Sequence, residues 1–186
     1  MPSDYQPSPE TLDKLRELTL YVAWLRRDDP HFGATLLNKC LYYADFDSYF
    51  HTGFPITGVE YMKEKFGPVP RNFSELKADM QKKGEVALRT ETYGEMAVER
   101  MIPVREANLA LFTGPEIALV NAVVDKLSQS TATAVSRMSH GHIWAILEMH
   151  ETIPYNAAFI SDAPPTARDY ELARQIAKKK GWDGDS

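Results

Sequence analysis

The sequence predicts an α+β fold, a mainly α-helical single domain with a small antiparallel β-hairpin or sheet. Three observations predict it. Helix starts recur, each with a capping side chain ahead of an apolar stripe, at Ser8-Pro9, Thr113-Gly-Pro-Glu116 and Thr166-x-x-Asp169. Between Glu85 and Val104 the period changes to two: Val86, Leu88 and Thr90 precede a Tyr93-Gly94 turn, and Met96, Val98, Arg100 and Ile102 follow it, which reads as a hairpin. No βαβ run, phosphate-cradling glycine loop or dinucleotide fingerprint occurs, so the doubly wound nucleotide-binding folds are poor candidates.

The elements follow in order. Residues 1–9 read as a flexible N-terminus. A first helix starts at Ser8-Pro9 with Leu12, Leu15, Leu18, Val22 and Leu25 near one face, and is expected to reach about Arg27, before Asp28-Asp29-Pro30. A second, from about Ala34 to Phe50, puts Leu37, Cys40, Leu41, Ala44 and Ser48 on one side and Tyr42, Asp45 and Tyr49 on another. A short strand is expected around Ile56 to Tyr61, stopped by Gly67-Pro68, with Pro70 opening a third helix through Phe73, Leu76 and Met80 to Gly84. After the hairpin, the Thr113 cap starts a helix from Gly114 to about Leu127. A shorter one is expected at Ala132 to Ser139 and a helical turn at Trp144 to Met149. A Pro-rich linker leads to a C-terminal helix over residues 166–181.

The 186 residues suffice for one hydrophobic core without staples. No apolar run approaches a membrane-spanning length and no secretory signal pattern stands at the N-terminus, so no membrane partner is expected. A lone cysteine, Cys40, fits a reducing compartment, and the expected location is the cytoplasm. The net charge of −5 argues against a surface built as a phosphate-binding field. The Lys178-Lys179-Lys180 cluster suits the negative end of the last helix.

Residues with chemical capability do not assemble into a catalytic set. His140-Gly-His142 and His150 form the one metal-like constellation, but their spacing matches no known ligand pattern, and His140 is better placed to bond free carbonyls at a helix end. Cys40 lies on an apolar helix face, where a thiol is inert. Asp45 and Asp47 flank Phe46 on opposite sides of their helix, so they do not act as a paired acid and base and read instead as solvated. No enzyme activity, cofactor or metal is expected. What stands out is aromatic: Tyr42, Tyr43, Tyr49, Phe50, Tyr61, Phe66, Phe73, Trp144 and Tyr155, residues that fill cores and anchor interfaces.

The pattern Leu37-x-Lys39-x-Leu41-Tyr42-Tyr43-Ala44, then Lys65-Phe66-Gly67-Pro68-Val69, Ser139-His140 and Ile153-Pro154-Tyr155 resembles the Panacea-domain family, the SocA-like antitoxins of bacterial and phage toxin–antitoxin pairs. The resemblance spans Ala34 to Phe159. It implies a cytoplasmic antitoxin that neutralises a cognate protein toxin by direct contact, with the further idea of an adaptor that delivers the toxin to a ClpXP-type protease. It also marks Lys39, Tyr42, Tyr43, Tyr61, Phe66, Gly67, Pro68, Val69, Ser139, His140, Trp144, Pro154 and Tyr155 as signature or partner-binding residues. Two other classes stay open: a DNA-binding transcriptional regulator, because helices followed by a hairpin resemble a winged helix, and a metal-dependent hydrolase using His140, His142 and His150.

Overall fold

A computed structural model describes residues 5–93, 96–129, 142–160 and 167–180. Helix α1 (Pro9–Leu25) starts as its sequence dictates: Ser8 Oγ accepts the Thr11 amide at 3.1 Å, and Pro9 occupies the first turn. Leu15, Leu18, Leu20 and Val22 on it are fully buried. The arm ahead of it is tied down from Tyr5 onward, since the Glu60 amide donates to Tyr5 Oη at 3.2 Å. Helix α2 (Ala34–Thr52) begins at Gly33, where a Cβ would stand 2.5 Å from Val98 Cγ1, so only glycine lets the chain pass this close to the hairpin. It ends at Gly53, left-handed at φ 79°, whose amide bonds to the Tyr49 carbonyl at 2.9 Å.

The region after α2 departs from expectation. Ile56 to Glu60 is not a strand but a loop. The strand β1 is Tyr61–Glu64, and Gly67–Pro70, expected to stop a strand at Gly67-Pro68 and to open a helix at Pro70, is itself strand β2. The two pair antiparallel, Tyr61 opposite Pro70 and Glu64 opposite Gly67. The Arg71 amide donates to the Glu60 carbonyl at 2.7 Å, so bonded and non-bonded pairs alternate from there, and Pro70 and Pro68 fall in non-bonded positions facing the free edge of β2. A missing N–H costs nothing on that side, and an edge without donors resists pairing with another chain. Helix α3 (Phe73–Lys82) therefore starts three residues past Pro70, burying Phe73, Leu76 and Met80.

The expected hairpin is present as β3 (Val86–Tyr93) and β4 (Met96–Pro103), paired from Val86 opposite Pro103 to Tyr93 opposite Met96. A 3₁₀ turn, Leu109–Leu111, leads to α4 (Gly114–Ser128), whose Thr113–Glu116 capping box is fully formed. Val120, Val123, Val124 and Leu127 of α4 join the α1 and α2 side chains in one core, and Tyr21 Oη donates to Asn121 Oδ1 at 2.9 Å across it. Helix α5 (His142–Ile146), the two-residue strand β5 (Thr152–Ile153), a 3₁₀ segment (Tyr155–Phe159) and helix α6 (Ala167–Lys180) complete the described chain. β5 pairs with β1 on the side away from β2, giving a three-stranded antiparallel sheet in the order β2-β1-β5. The arrangement is α+β and mainly helical, as predicted. The helix expected at Ala132 to Ser139 lies outside the described residues.

Candidate interaction site

Helix α2 organises the site because Lys39, Tyr42, Asp45 and Tyr49, with Phe46 four residues on from Tyr42, recur at three- and four-residue spacing on the side toward the sheet and the 3₁₀ segment. Asp45 is completely buried, not solvated as its position beside Phe46 led us to expect. Its two oxygens accept three bonds: the Thr57 amide at 2.6 Å on Oδ1, with Thr57 Oγ1 at 2.5 Å and Tyr61 Oη at 2.8 Å on Oδ2. Burial pushes its pKa up to about 6 against the downward pull of these donors. The node turns the Ile56–Glu60 segment into a loop wrapped on α2. The available signal was helical spacing: Asp45 lies four residues from Leu41 and three from Ser48, both on the face assigned to the core.

Tyr61 stands fully buried between Asp45 and the rings of Tyr42 and Phe46, at 5.4 and 5.9 Å between centroids. Burial, with Asp45 alongside, drives its hydroxyl pKa well above the usual phenol value. Tyr155, half-buried, donates to the Val59 carbonyl at 2.7 Å and lies 4.8 Å from the Phe46 ring and 5.4 Å from that of Tyr49. From there the aromatics run outward. Tyr49 and Phe50 meet Phe159 at 5.7 and 5.5 Å, and Tyr49 Oη donates to Asn156 Oδ1 at 3.0 Å. Phe50 and Phe159 are each more than half exposed.

Among the described residues Phe54 is the most exposed of the large apolar side chains, at 76%, yet its backbone is fixed. Ser48 Oγ and Thr52 Oγ1 both donate to its carbonyl, and its amide donates to Thr52 Oγ1. Holding an apolar ring in water on an ordered backbone costs entropy in advance and leaves less to lose on binding.

The Leu37–Ala44 and Lys65–Val69 motifs meet directly. Gly67 has φ 132°, and a Cβ there would come within 2.8 Å of Lys39 Cε, so the Gly67-Pro68 strand sits on the buried stem of Lys39. Burial also lowers the Lys39 pKa. Lys39 and Tyr61 thus support the site from within. Gly67 and Pro68 are buried, Val69 is half-buried and Phe66 is 67% exposed with Lys65 Nζ over its ring. Tyr43 packs partly buried against the core, its ring edge-on to Tyr42 at 5.2 Å. Trp144 is held through its carbonyl, which accepts from Lys63 Nζ at 2.6 Å, and Pro154 is exposed and precedes the 3₁₀ segment. Ser139 and His140 lie outside the described residues.

Cys40 is buried, and burial pushes its thiol up to about 12, as an inert core position requires. His150 Nδ1 stands 2.7 Å from Glu64 Oε1. Among the described residues no group of three metal-ligating side chains could hold an ion, and no helix is long and apolar enough to cross a membrane.

Fold and site together define an α+β module that shows an aromatic face braced by a buried polar node. The chain belongs to the family described as antitoxin SocA-like, Panacea domain, whose model matches residues 37–145, more than half of its length. The match contains the Leu37–Ala44, Lys65–Val69 and Ser139-His140 motifs, and Ile153-Pro154-Tyr155 lies beyond it. No curated protein and no solved structure matches the chain.

Proposed function

We propose that this protein is an antitoxin that binds a cognate protein toxin and neutralises it by direct contact, without catalysis of its own. The observation that carries the reading is the family match, since a family of antitoxins implies a toxin as partner. The contact surface is then the aromatic face at the C-terminal end of α2, with Phe54 as anchor and Phe50 and Phe159 beside the Asp45 node. Apolar rings on a pre-ordered frame are what a tight interface uses, and Lys39 and Tyr61 keep that frame in shape.

The test is co-expression with each product of the neighbouring genes, scored for growth rescue and for a complex that co-purifies. Rescue by one pairing is expected, and Phe54→Ala should weaken the complex by about 2 kcal/mol, the cost of losing an interface anchor. Rescue that survives both Phe54→Ala and Phe159→Ala moves the interface elsewhere. Failure to rescue against every neighbour removes the antitoxin reading, and salt-sensitive binding to promoter DNA would then favour the transcriptional regulator. Rescue that disappears in cells lacking a ClpXP-type protease would assign the adaptor role.

A further inference from the structure

One carboxylate reaches two elements that share no covalent path shorter than ninety-odd residues. Asp45 on α2 holds the loop at Thr57, the same loop offers the Val59 carbonyl to Tyr155, and the Tyr155–Phe159 segment places Phe159 against Tyr49 and Phe50. Among the described residues the titratable groups that face Asp45 are phenols: Tyr61 on β1, Tyr155 on the 3₁₀ segment and Tyr5 on the N-terminal arm, with Tyr42 of its own helix edge-on behind Tyr61. The charges nearest the loop act on its ends, Lys14 Nζ on the Ile56 carbonyl at 3.2 Å and the Arg71–Glu60 pair beyond Val59.

We propose that Asp45 is a proton-operated latch on the aromatic face, in which proton uptake seats the Ile56–Glu60 loop and, through Tyr155, the Phe159 segment, while the ionised carboxylate loosens both. A buried charge that has neutral donors around it and, among the described residues, no cation bonded to it gains far more hydration when the loop lifts than the neutral acid does. Lifting the loop takes Val59 away from Tyr155, so the loosening passes to Phe159. The upward displacement of the Asp45 pKa to about 6 has the same sign, since the closed form is the one that holds the proton more tightly.

The full chain is tested by residue-resolved NMR and hydrogen exchange from pH 5 to 8. His51 is replaced by Gln throughout, because its ring lies 5.1 Å from that of Phe50, which in turn packs on Phe159. Protection of the Thr57 amide should fall by about tenfold over this pH range and level off above about pH 6, where the closed form has also lost its proton. The Phe159 ring signals should move with the same midpoint, and Asp45→Asn should flatten both. In Tyr155→Phe, which removes the hydroxyl that bonds Val59 and leaves the Asp45 bonds to Thr57 in place, Thr57 should still titrate and Phe159 should not. That variant decides the matter even if Asp45→Asn does not fold. The proposal is overturned if Thr57 protection rises with pH, if Phe159 is flat in the parent chain, or if Phe159 still follows Thr57 in Tyr155→Phe.

Discussion

Two buried carboxylates, Asp45 and Glu17, are bonded about equally well and differ in who their partners are. Asp45 has three neutral donors and no solvent. Glu17, 7% exposed, takes two guanidinium bonds from Arg105, at 2.6 and 2.8 Å, and the Asn108 amide at 2.7 Å. Arg105 continues to Glu85, and Arg16 bridges Glu85 to Asp79, so this second site is a chain of alternating charges that joins α1, α3 and the two ends of the hairpin. Burial pushes Glu17 upward, but the Arg105 bonds and charge more than offset it and hold the carboxyl below its usual range. The difference teaches that hydrogen bonds alone satisfy the geometry of a buried carboxylate without covering the cost of its charge, whereas a guanidinium does both.

The largest effect should come from removing the first site. Asp45→Ala leaves the Thr57 amide and two hydroxyls without their acceptor in a dry pocket and opens a cavity, so urea unfolding at pH 7 should show a loss of roughly 3–5 kcal/mol. Asp45→Asn should cost far less, because the Thr57 and Tyr61 hydroxyls can turn to accept from the amide. If the two variants were equally damaged, the charge would be contributing stability and the contrast with Glu17 would collapse.

Next in size is the pH profile of the parent chain, where the two sites oppose each other. The folded-state pKa of Asp45 lies above its unfolded value, so its contribution is fully present below about pH 4 and is lost as pH rises to about 6, on the order of 3 kcal/mol. Glu17 and Glu85 are depressed, so their contribution is present above the ordinary glutamate pKa and is lost as pH falls through their lower folded values. Unfolding measured between pH 3 and 8 should therefore show greatest stability near pH 4–5, with Asp45→Asn flattening the fall toward about pH 6 and Glu17→Gln the fall at lower pH.

Smaller still, Glu17→Gln should cost about 1–2 kcal/mol at pH 7, since it keeps an acceptor for Arg105 but gives up the charge. At the exposed end of the same chain, where Lys83 and Arg16 hold Asp79 in its ionised form, Asp79→Asn should shift the thermal midpoint least, and added salt should erase the shift. An effect of Asp79→Asn as large as that of Glu17→Gln would mean that the network acts as one unit.

The sequence by itself determined whatever neighbouring residues decide among themselves. The Ser8-Pro9 start, the Thr113–Glu116 capping box and the two-residue alternation of β3 and β4 stand in the structure as written, because a cap or a hairpin period is settled within a few positions. The signature motifs were likewise legible as words. Only the tertiary structure decided what they do: that Gly67 lies on the stem of Lys39, that Gly67–Pro70 pairs as an edge strand, and which donors Asp45 meets inside. The physical reason is that burial of a polar group is set by what arrives to pay its desolvation. For Asp45 those donors come from Thr57 and Tyr61, and the ring that closes over them from Tyr155, far outside any helical period through which α2 could announce them.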